Sequence, residues 1–273
     1  MKTEGFDTIK LKAEGETLWV TLDRPKLNLV NQEMMEELIA VWHDLRKEPN
    51  LRFVILEAAG EDFTAGIDLR QVSVKEFTPE YARLGQLAGH ELMRSLEGLE
   101  QVTLASLKGA VVGAGLALAL ACDFRIMADD GFFILPEINI GTYFTWGCTP
   151  RLVRQVGASK AMEIIMTADP LPAGEALRLG LANKIAPKAE LNQVCREFIA
   201  KIAAKSPTSV RLTKKIALAA SMQGFGDLFV CEPELMQILA FSGESRDGIG
   251  AFLDKRDPDF KHSIRRFKTP SRR

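Results

Sequence analysis

The stretch from Leu104 to Asp123, LASLKGAVVGAGLALALACD, constrains this chain more than any other. It begins as a β-like run, breaks at Gly113-Ala114-Gly115, and resumes as good helix formers with no polar face. A strand that becomes a helix through glycines leaves free backbone N–H groups in the first helical turn, where negative charge is favoured. No side chain in the turn carries chemistry. A site here therefore works through backbone N–H groups, on something that becomes an anion.

The rest of the composition limits the function classes. A chain of 273 residues that is 47% hydrophobic supports one large α/β domain, with or without a helical appendage. Its 35 basic and 36 acidic residues leave a net charge of −1, which argues against a nucleic-acid binder or a membrane-surface protein. Residues 261–273 form a basic tail with six Lys/Arg and no acid, expected to be flexible and solvated. The longest apolar run, Gly109 to Cys122, is too short to span a bilayer. Cys122, Cys148, Cys195 and Cys231 show no CxxC spacing and no signal peptide precedes them, so reduced thiols and a cytoplasmic location are expected. His43, His90 and His262 lie far apart, and no metal-ligand spacing is present.

In chain order, residues 6–12 and 17–23 read as strands joined by a tight turn. Asn31 reads as the N-cap of an amphipathic helix over 32–47, with Met34, Leu38, Val41 and Leu45 on one face. A buried strand over 53–57 leads to the glycine-containing loop 60–69. Thr78-Pro79 starts a helix that runs to about Gly98. The opening stretch supplies one strand over 103–112 and a helix over 115–121. Strands over 124–128 and 132–134 follow, then helices over 149–155, 159–167 and 173–179 and a strand over 182–185. Beyond Ala189 the pattern is helical only: 190–204, 207–220, 227–241 and 245–254. The order suggests successive ββα-like turns with right-handed connections.

Two glycine breaks carry candidate chemistry, Ala65-Gly66-Ile67 and Gly113-Ala114-Gly115. If their free N–H groups converge, they form an oxyanion hole for an enolate or a tetrahedral oxyanion. Glu137, in FFILPEINIG, is a carboxylate inside an apolar run, placed to have a raised pKa and to exchange protons near neutrality. Asp68 and Asp123 sit at element boundaries and read as capping or fold-stabilising groups.

The segments RPKLN, FTAGIDL, GAVVGAGLALALACDFRIMAD, PEINIG, RLVRQVGASKAMEIIMTADPLPAGEALRLGLANKIAP and RDGIGAFLDKRDPDF closely resemble the enoyl-CoA hydratase/isomerase (crotonase) superfamily. The likeness covers nearly the whole chain, in order. It implies an α/β fold: a crotonase-like spiral of ββα turns over 1–188 holding the acyl-CoA site, a helical trimerisation region over 189–260, and the tail over 261–273. It further implies homotrimers or dimers of trimers and an acyl-CoA thioester substrate, with coenzyme A as part of that substrate, no separate cofactor and no metal. By the same resemblance the thioester carbonyl accepts from the N–H groups of Ile67 and Ala114. Arg24, Lys26, Leu27, Ala65, Asp68 and Leu69 would lie along the CoA moiety, and Phe252 and Lys255 would close over its nucleotide.

The departures bear on the reaction. Hydratases of the superfamily hold a water between two glutamates; the second matches Glu137, and the first falls on Ala117. A segment often rich in Pro and Gly here reads GTYFTWGC, so Tyr143, Phe144 and Trp146, with Ala117, are expected to shape the acyl pocket. The expectation is proton transfer by a single glutamate in fatty acid or aromatic acid metabolism, as an isomerase slightly in preference to a hydro-lyase. The alternatives are a hydroxycinnamoyl-CoA-type hydratase or lyase, and a catalytically weak acyl-CoA-binding protein.

Overall fold

The computed structural model describes residues 4–71, 79–140, 144–222 and 255–256. The chain divides into two compact units, Met1–Arg196 and Glu197–Arg273. In the first, β1 (Ile9–Glu14) and β2 (Thr17–Leu22) form an antiparallel hairpin that pairs Ile9 with Leu22. β3 (Phe53–Ala58), β4 (Val102–Leu107), β6 (Phe124–Ala128) and β9 (Lys184–Ala186) extend it in parallel, giving the order β1-β2-β3-β4-β6-β9. A second, three-stranded sheet has the order β5-β7-β8, from Ala110–Val112, Phe132–Ile134 and Leu171–Pro172. β4 leads into β5 and β6 into β7, so successive passes of the chain feed both sheets, as the ββα reading expects.

The expected single strand over 103–112 is two strands, broken at Lys108-Gly109. The reason is the neighbouring loop. Asp62 Oδ1 accepts from Ala110 N–H at 2.8 Å and Phe63 N–H donates to Lys108 O at 2.9 Å. These bonds pull the chain out of the first sheet and into the second. β8 has no counterpart in the sequence reading; two residues carry no periodicity.

Helices cover the sheets where their apolar stripes dictate. Asn31 Oδ1 caps α1 (Gln32–Leu45) by accepting from Met34 N–H at 3.0 Å, and Met34, Leu38, Val41, Trp42 and Leu45 are buried. α2 (Pro79–Glu97) buries Leu92, Met93 and Leu96. α3 (Ala114–Ala121) is apolar all round, and all eight of its residues are buried, as such a helix must be. α4 (Cys148–Val156), α5 (Ala158–Thr167), α6 (Ala173–Arg178) and α7 (Leu191–Ala203) follow. In the second unit, α8 (Pro207–Met222) starts at Ser206, whose Oγ accepts from Ser209 N–H at 3.1 Å. The expected helices over 227–241 and 245–254 and the tail over 261–273 fall outside the described residues, Lys255 and Arg256 excepted. No described helix is long and apolar enough to cross a membrane.

A buried α3 needs acceptors satisfied at its C-terminal end. Arg125 does this. Its guanidinium donates to Ala119 O at 3.2 Å, Cys122 O at 3.0 Å and Leu181 O at 2.6 Å. Burial lowers its pKa, but a guanidinium stays protonated in proteins, so the charge is retained beside the carbonyl end of the helix dipole. Arg125→Met keeps the bulk and removes the donors to three buried carbonyls, of which Ala119 O keeps Cys122 N–H at 3.3 Å. The expected result is a loss of about 3–4 kcal/mol of stability, read by urea denaturation.

Candidate active site

The loop after Phe63 is tied down on both sides. Thr64 N–H donates to Ala110 O at 3.2 Å, Ala65 N–H to Leu27 O at 3.0 Å, and Asp68 N–H to Val30 O at 2.9 Å. Gly66 N–H donates to Thr64 Oγ1 at 3.1 Å, and Gly66 O accepts from Val30 N–H at 2.8 Å. In that run Ile67 N–H alone donates to no group among the described residues. Orphan backbone donors in ordered loops are rare, and one here is a candidate ligand contact.

The second turn repeats the pattern. Val112 N–H donates to Thr64 O at 3.0 Å and Gly113 N–H to Ile134 O at 3.0 Å. Ala114 is the first residue of α3, so its N–H has no intrahelical partner, and none comes from elsewhere among the described residues. Gly113 has φ 45° and ψ −101°, a conformation that disfavours any residue with a Cβ.

Glu137 reaches this turn from β7. The chain leaves Ile134 through Leu135 into a 3-10 turn, Pro136–Ile140, and the carboxylate folds back onto Gly113. A Cβ on Gly113 would overlap Glu137 Oε1 and stand 3.3 Å from Cδ. Glu137 Oε2 is buried with no hydrogen-bond partner among the described residues. Burial raises the Glu137 pKa above the ordinary carboxylate value, opposed by its own backbone N–H. A desolvated carboxylate therefore lies against the turn that presents the Ala114 amide.

The remaining sequence candidates fall into two groups. Arg24, Lys26 and Leu27 share one loop, laid against Ala65, Ile67, Asp68 and Leu69 by the Ala65–Leu27 and Asp68–Val30 bonds. Leu27 and Leu69 are exposed. Asp68 is buried and its oxygens accept from Arg24 Nη2 at 2.9 Å, Arg70 Nε at 3.0 Å and Arg70 Nη2 at 3.3 Å. The Arg70 guanidinium, then Arg24, hold the Asp68 carboxyl below its usual range. Arg70 was not singled out in the sequence, although its place in GIDLR makes it the neighbour of a buried acid. Asp123 is structural, accepting from Thr103 N–H at 2.8 Å and Thr103 Oγ1 at 3.1 Å.

Phe144, Trp146 and Ala117 are all buried. The Trp146 indole lies so close to α2 that a Cβ on Gly89 would overlap it. Trp146 itself has φ 56°. Arg151 Nη1 holds this turn through Trp146 O at 3.2 Å and Gly147 O at 3.0 Å, while its Nε and Nη2 pair with Glu97 at 3.1 and 2.6 Å. Neighbouring Cys148 is buried, and burial pushes its thiol up to about 12, with Glu137 adding to the rise. It is a neutral, unreactive wall within electrostatic reach of the carboxylate. Tyr143 and Phe252 lie outside the described residues; Lys255 is exposed and belongs to the second unit. In the one described acidic group with metal-like spacing, Asp7 and Glu33 are exposed, and half-buried Glu37 already accepts from Asp7 N–H and Thr8 N–H.

Two sheets fed in turn by one spiralling chain, with backbone amides and a carboxylate at the end of the smaller sheet, define the crotonase fold. Comparison with known proteins agrees. The enoyl-CoA hydratase/isomerase family profile matches residues 12–263. A short-chain-enoyl-CoA hydratase of Clostridium acetobutylicum is 33% identical, over 92% of this chain and 96% of that protein. A probable enoyl-CoA hydratase of Bacillus subtilis is 30% identical, over 94% and 99%. The crystal structure of an enoyl-CoA hydratase from Bacillus anthracis superposes with a TM-score of 0.87 at 30% identity, covering 93% of this chain and 99% of that one. The chain belongs to the enoyl-CoA hydratase/isomerase family of acyl-CoA enzymes.

The buried carboxylate has a thermodynamic signature. A carboxyl whose folded pKa lies above its unfolded value favours the folded state only when protonated. Ionised Glu137 therefore weakens folding at neutral pH, and the penalty fades as pH falls through the folded pKa towards the unfolded one near 4. Glu137→Gln is expected to raise the melting temperature by a few degrees at pH 7. The gain should vanish by about pH 4 in paired thermal melts.

Proposed function

We propose that this enzyme removes and returns protons on an enoyl-CoA thioester, with Glu137 as the single proton carrier. The amides of Ile67 and Ala114 act as an oxyanion hole for the thioester enolate. The observation that carries this reading is the desolvated Glu137 carboxylate lying against Gly113, next to the unfilled Ala114 N–H. A proton α to a thioester is acidic only if the enolate oxygen is stabilised, and two fixed amide donors do that without reorganisation. A carboxylate with a raised pKa is a better base for that carbon than an ordinary surface glutamate. This pairing of base and donors favours an enzyme over a pure acyl-CoA-binding protein.

Isomerisation needs only these parts. Glu137 takes the α proton of a 3-enoyl-CoA, negative charge moves onto the thioester oxygen, and the proton returns at the γ carbon, leaving the conjugated 2-enoyl-CoA. Ala117, in the helical turn after Ala114, provides no second carboxylate to hold a water. Hydration is the second reading, favoured by the hydratase names of the relatives. In it Glu137 takes a proton from water, the oxygen adds at the β carbon, and the same proton goes to the α carbon. The CoA moiety is proposed to run along Arg24, Lys26, Leu27, Ala65, Asp68 and Leu69, with Arg70 as an added cation for its phosphates. Phe252 and Lys255 are proposed to cover its nucleotide, in a cytoplasmic trimer or dimer of trimers. The Trp146 and Phe144 side chains are proposed to bound the acyl group.

One assay separates the two reactions. The purified protein is given a 2-enoyl-CoA and, separately, a 3-enoyl-CoA, and the conjugated enoyl-thioester absorbance is followed. Gain with the second substrate is the expected result; loss with the first assigns hydration instead. Glu137→Gln is expected to lower kcat by about 10²–10⁴-fold with either substrate. Full activity in that variant would rule out the proposed role. Gly113→Ala is expected to cost activity on a similar scale, because the added Cβ displaces Glu137 and strains the turn.

A further inference from the structure

We propose that Thr64 is a positioning residue that holds the two amide donors, Ile67 and Ala114, in a single register. The inference rests on the enolate-holding reading above and adds a residue outside the reacting groups. Thr64 is fully buried and touches three segments at once. Its Oγ1 donates to Asn28 O at 2.6 Å and accepts from Gly66 N–H at 3.1 Å. Its backbone pairs with β5, accepting from Val112 N–H at 3.0 Å and donating to Ala110 O at 3.2 Å. Its methyl carbon Cγ2 stands 2.6 Å from where a Cβ on Gly115 would be, so it packs directly on the first turn of α3.

Each contact has a consequence for a donor. Gly66, at φ 93°, is free to rotate in a way no other residue type in the loop would be. The Thr64 hydroxyl takes its N–H and thereby fixes the plane of the peptide that precedes the Ile67 amide. Without the hydroxyl, Gly66 N–H and Asn28 O both lose a buried partner, and the peptide turns to find another. On the other side, the methyl sets how far α3, and so the Ala114 N–H, lies from the loop. One side chain thus fixes the separation of two donors from different segments. The hydroxyl acts on the loop that carries one donor, and the methyl packs against the helix that carries the other.

The test uses variants that remove these two groups separately, and two readouts. The first is kcat and KM with whichever enoyl-CoA the protein turns over. The second needs no turnover: a 3-ketoacyl-CoA is bound, and the absorbance of its enolate is measured, because two aligned donors favour the enolate over the neutral form. Thr64→Val keeps the shape and loses the hydroxyl. It is expected to lower kcat by about 10²-fold with KM within about threefold, and to bind the 3-ketoacyl-CoA without the enolate band. Thr64→Ser, the conservative variant, is expected to restore the band and most of kcat. Gly115→Ala drives a Cβ into the Thr64 methyl and is expected to lose the band; combining it with Thr64→Ser removes that overlap, leaving only Val111 Cγ1 at 3.3 Å to shift slightly, and restores the band.

The proposal is overturned if Thr64→Val keeps both the band and kcat, or if Thr64→Ser is as impaired as Thr64→Val. It is also overturned if the wild-type protein binds the 3-ketoacyl-CoA without the band. Should Thr64→Val not fold, the Gly115→Ala pair decides. Failure of the functional reading looks different: the band is present and follows the Thr64 variants, but neither enoyl-CoA is turned over.

Discussion

The site depends on one piece of strand pairing. Thr64 bridges Val111 in parallel, and Val111 pairs with Phe133 in the same sense. Three segments thus lie side by side, run in the same direction and leave the small sheet along the same edge. Ile67 follows Thr64, Ala114 follows Val111 and Glu137 follows Phe133, each within a few residues of the shared register. The carboxyl ends of parallel strands gather loops and helix starts at one place, which is why ligands bind there in open α/β sheets generally. Residues 67, 114 and 137 leave the same sheet edge because hydrogen bonds within that sheet set their offsets, and Glu137 lies against Gly113. A one-residue slip of β7 would exchange the faces of its side chains and carry Glu137 away from Gly113.

That arrangement makes the energetics of Glu137 intelligible. In β7, Phe133 is fully enclosed, while Phe132 and Ile134 are half-buried. The turn that follows is half-buried to exposed, but it carries the Glu137 carboxylate inward, with Oε2 buried and unpartnered among the described residues. The cost falls on folding stability. On the proposed function, the gain is a base desolvated before any substrate arrives, beside the turn that presents the Ala114 amide. Arg125 serves the opposite end of α3. It satisfies the carbonyls there, so an entirely apolar helix can sit in the interior with its N-terminus left open.

Much of this was legible in the sequence because backbone needs leave marks. Gly113 and Gly66 are glycines for stated geometric reasons, and the turn at Gly113-Ala114-Gly115 does begin a buried helix. Asn31, Ser206 and Pro207 act at helix starts as their residue types imply. What was not legible is contact between distant segments. The one mark in LASLKGAVV of the break at Lys108-Gly109 is the glycine, which has φ 52°; its cause, Asp62 and Phe63, is not legible there, because their bonds to this segment are tertiary. Thr64 reads as one residue of a loop in the sequence, since the partners of its side chain come from positions 28, 66 and 115. Trp146 was legible as a large residue near the pocket, but the missing Cβ at Gly89 that admits its indole is a feature of another helix.

The division between backbone and side chain also bears on what the family can vary. Donors made of peptide N–H groups survive substitution at their own position; Ala114 is a case, since its side chain takes no part in the donation. The reaction is then decided by few side chains standing over that frame. Residue 117 lies three positions past Ala114, on the same face of α3 and one turn further along. Glu137 and residue 117 are therefore neighbours of the same turn, one held by β7 and the other by α3. On the proposed function, alanine there leaves the carboxylate and the two amides unchanged and supplies no second carboxylate to hold a water. On the proposed function, the frame for making an enolate is independent of the group that decides where the proton goes next. A different residue at position 117 would leave the pairing that built the site undisturbed.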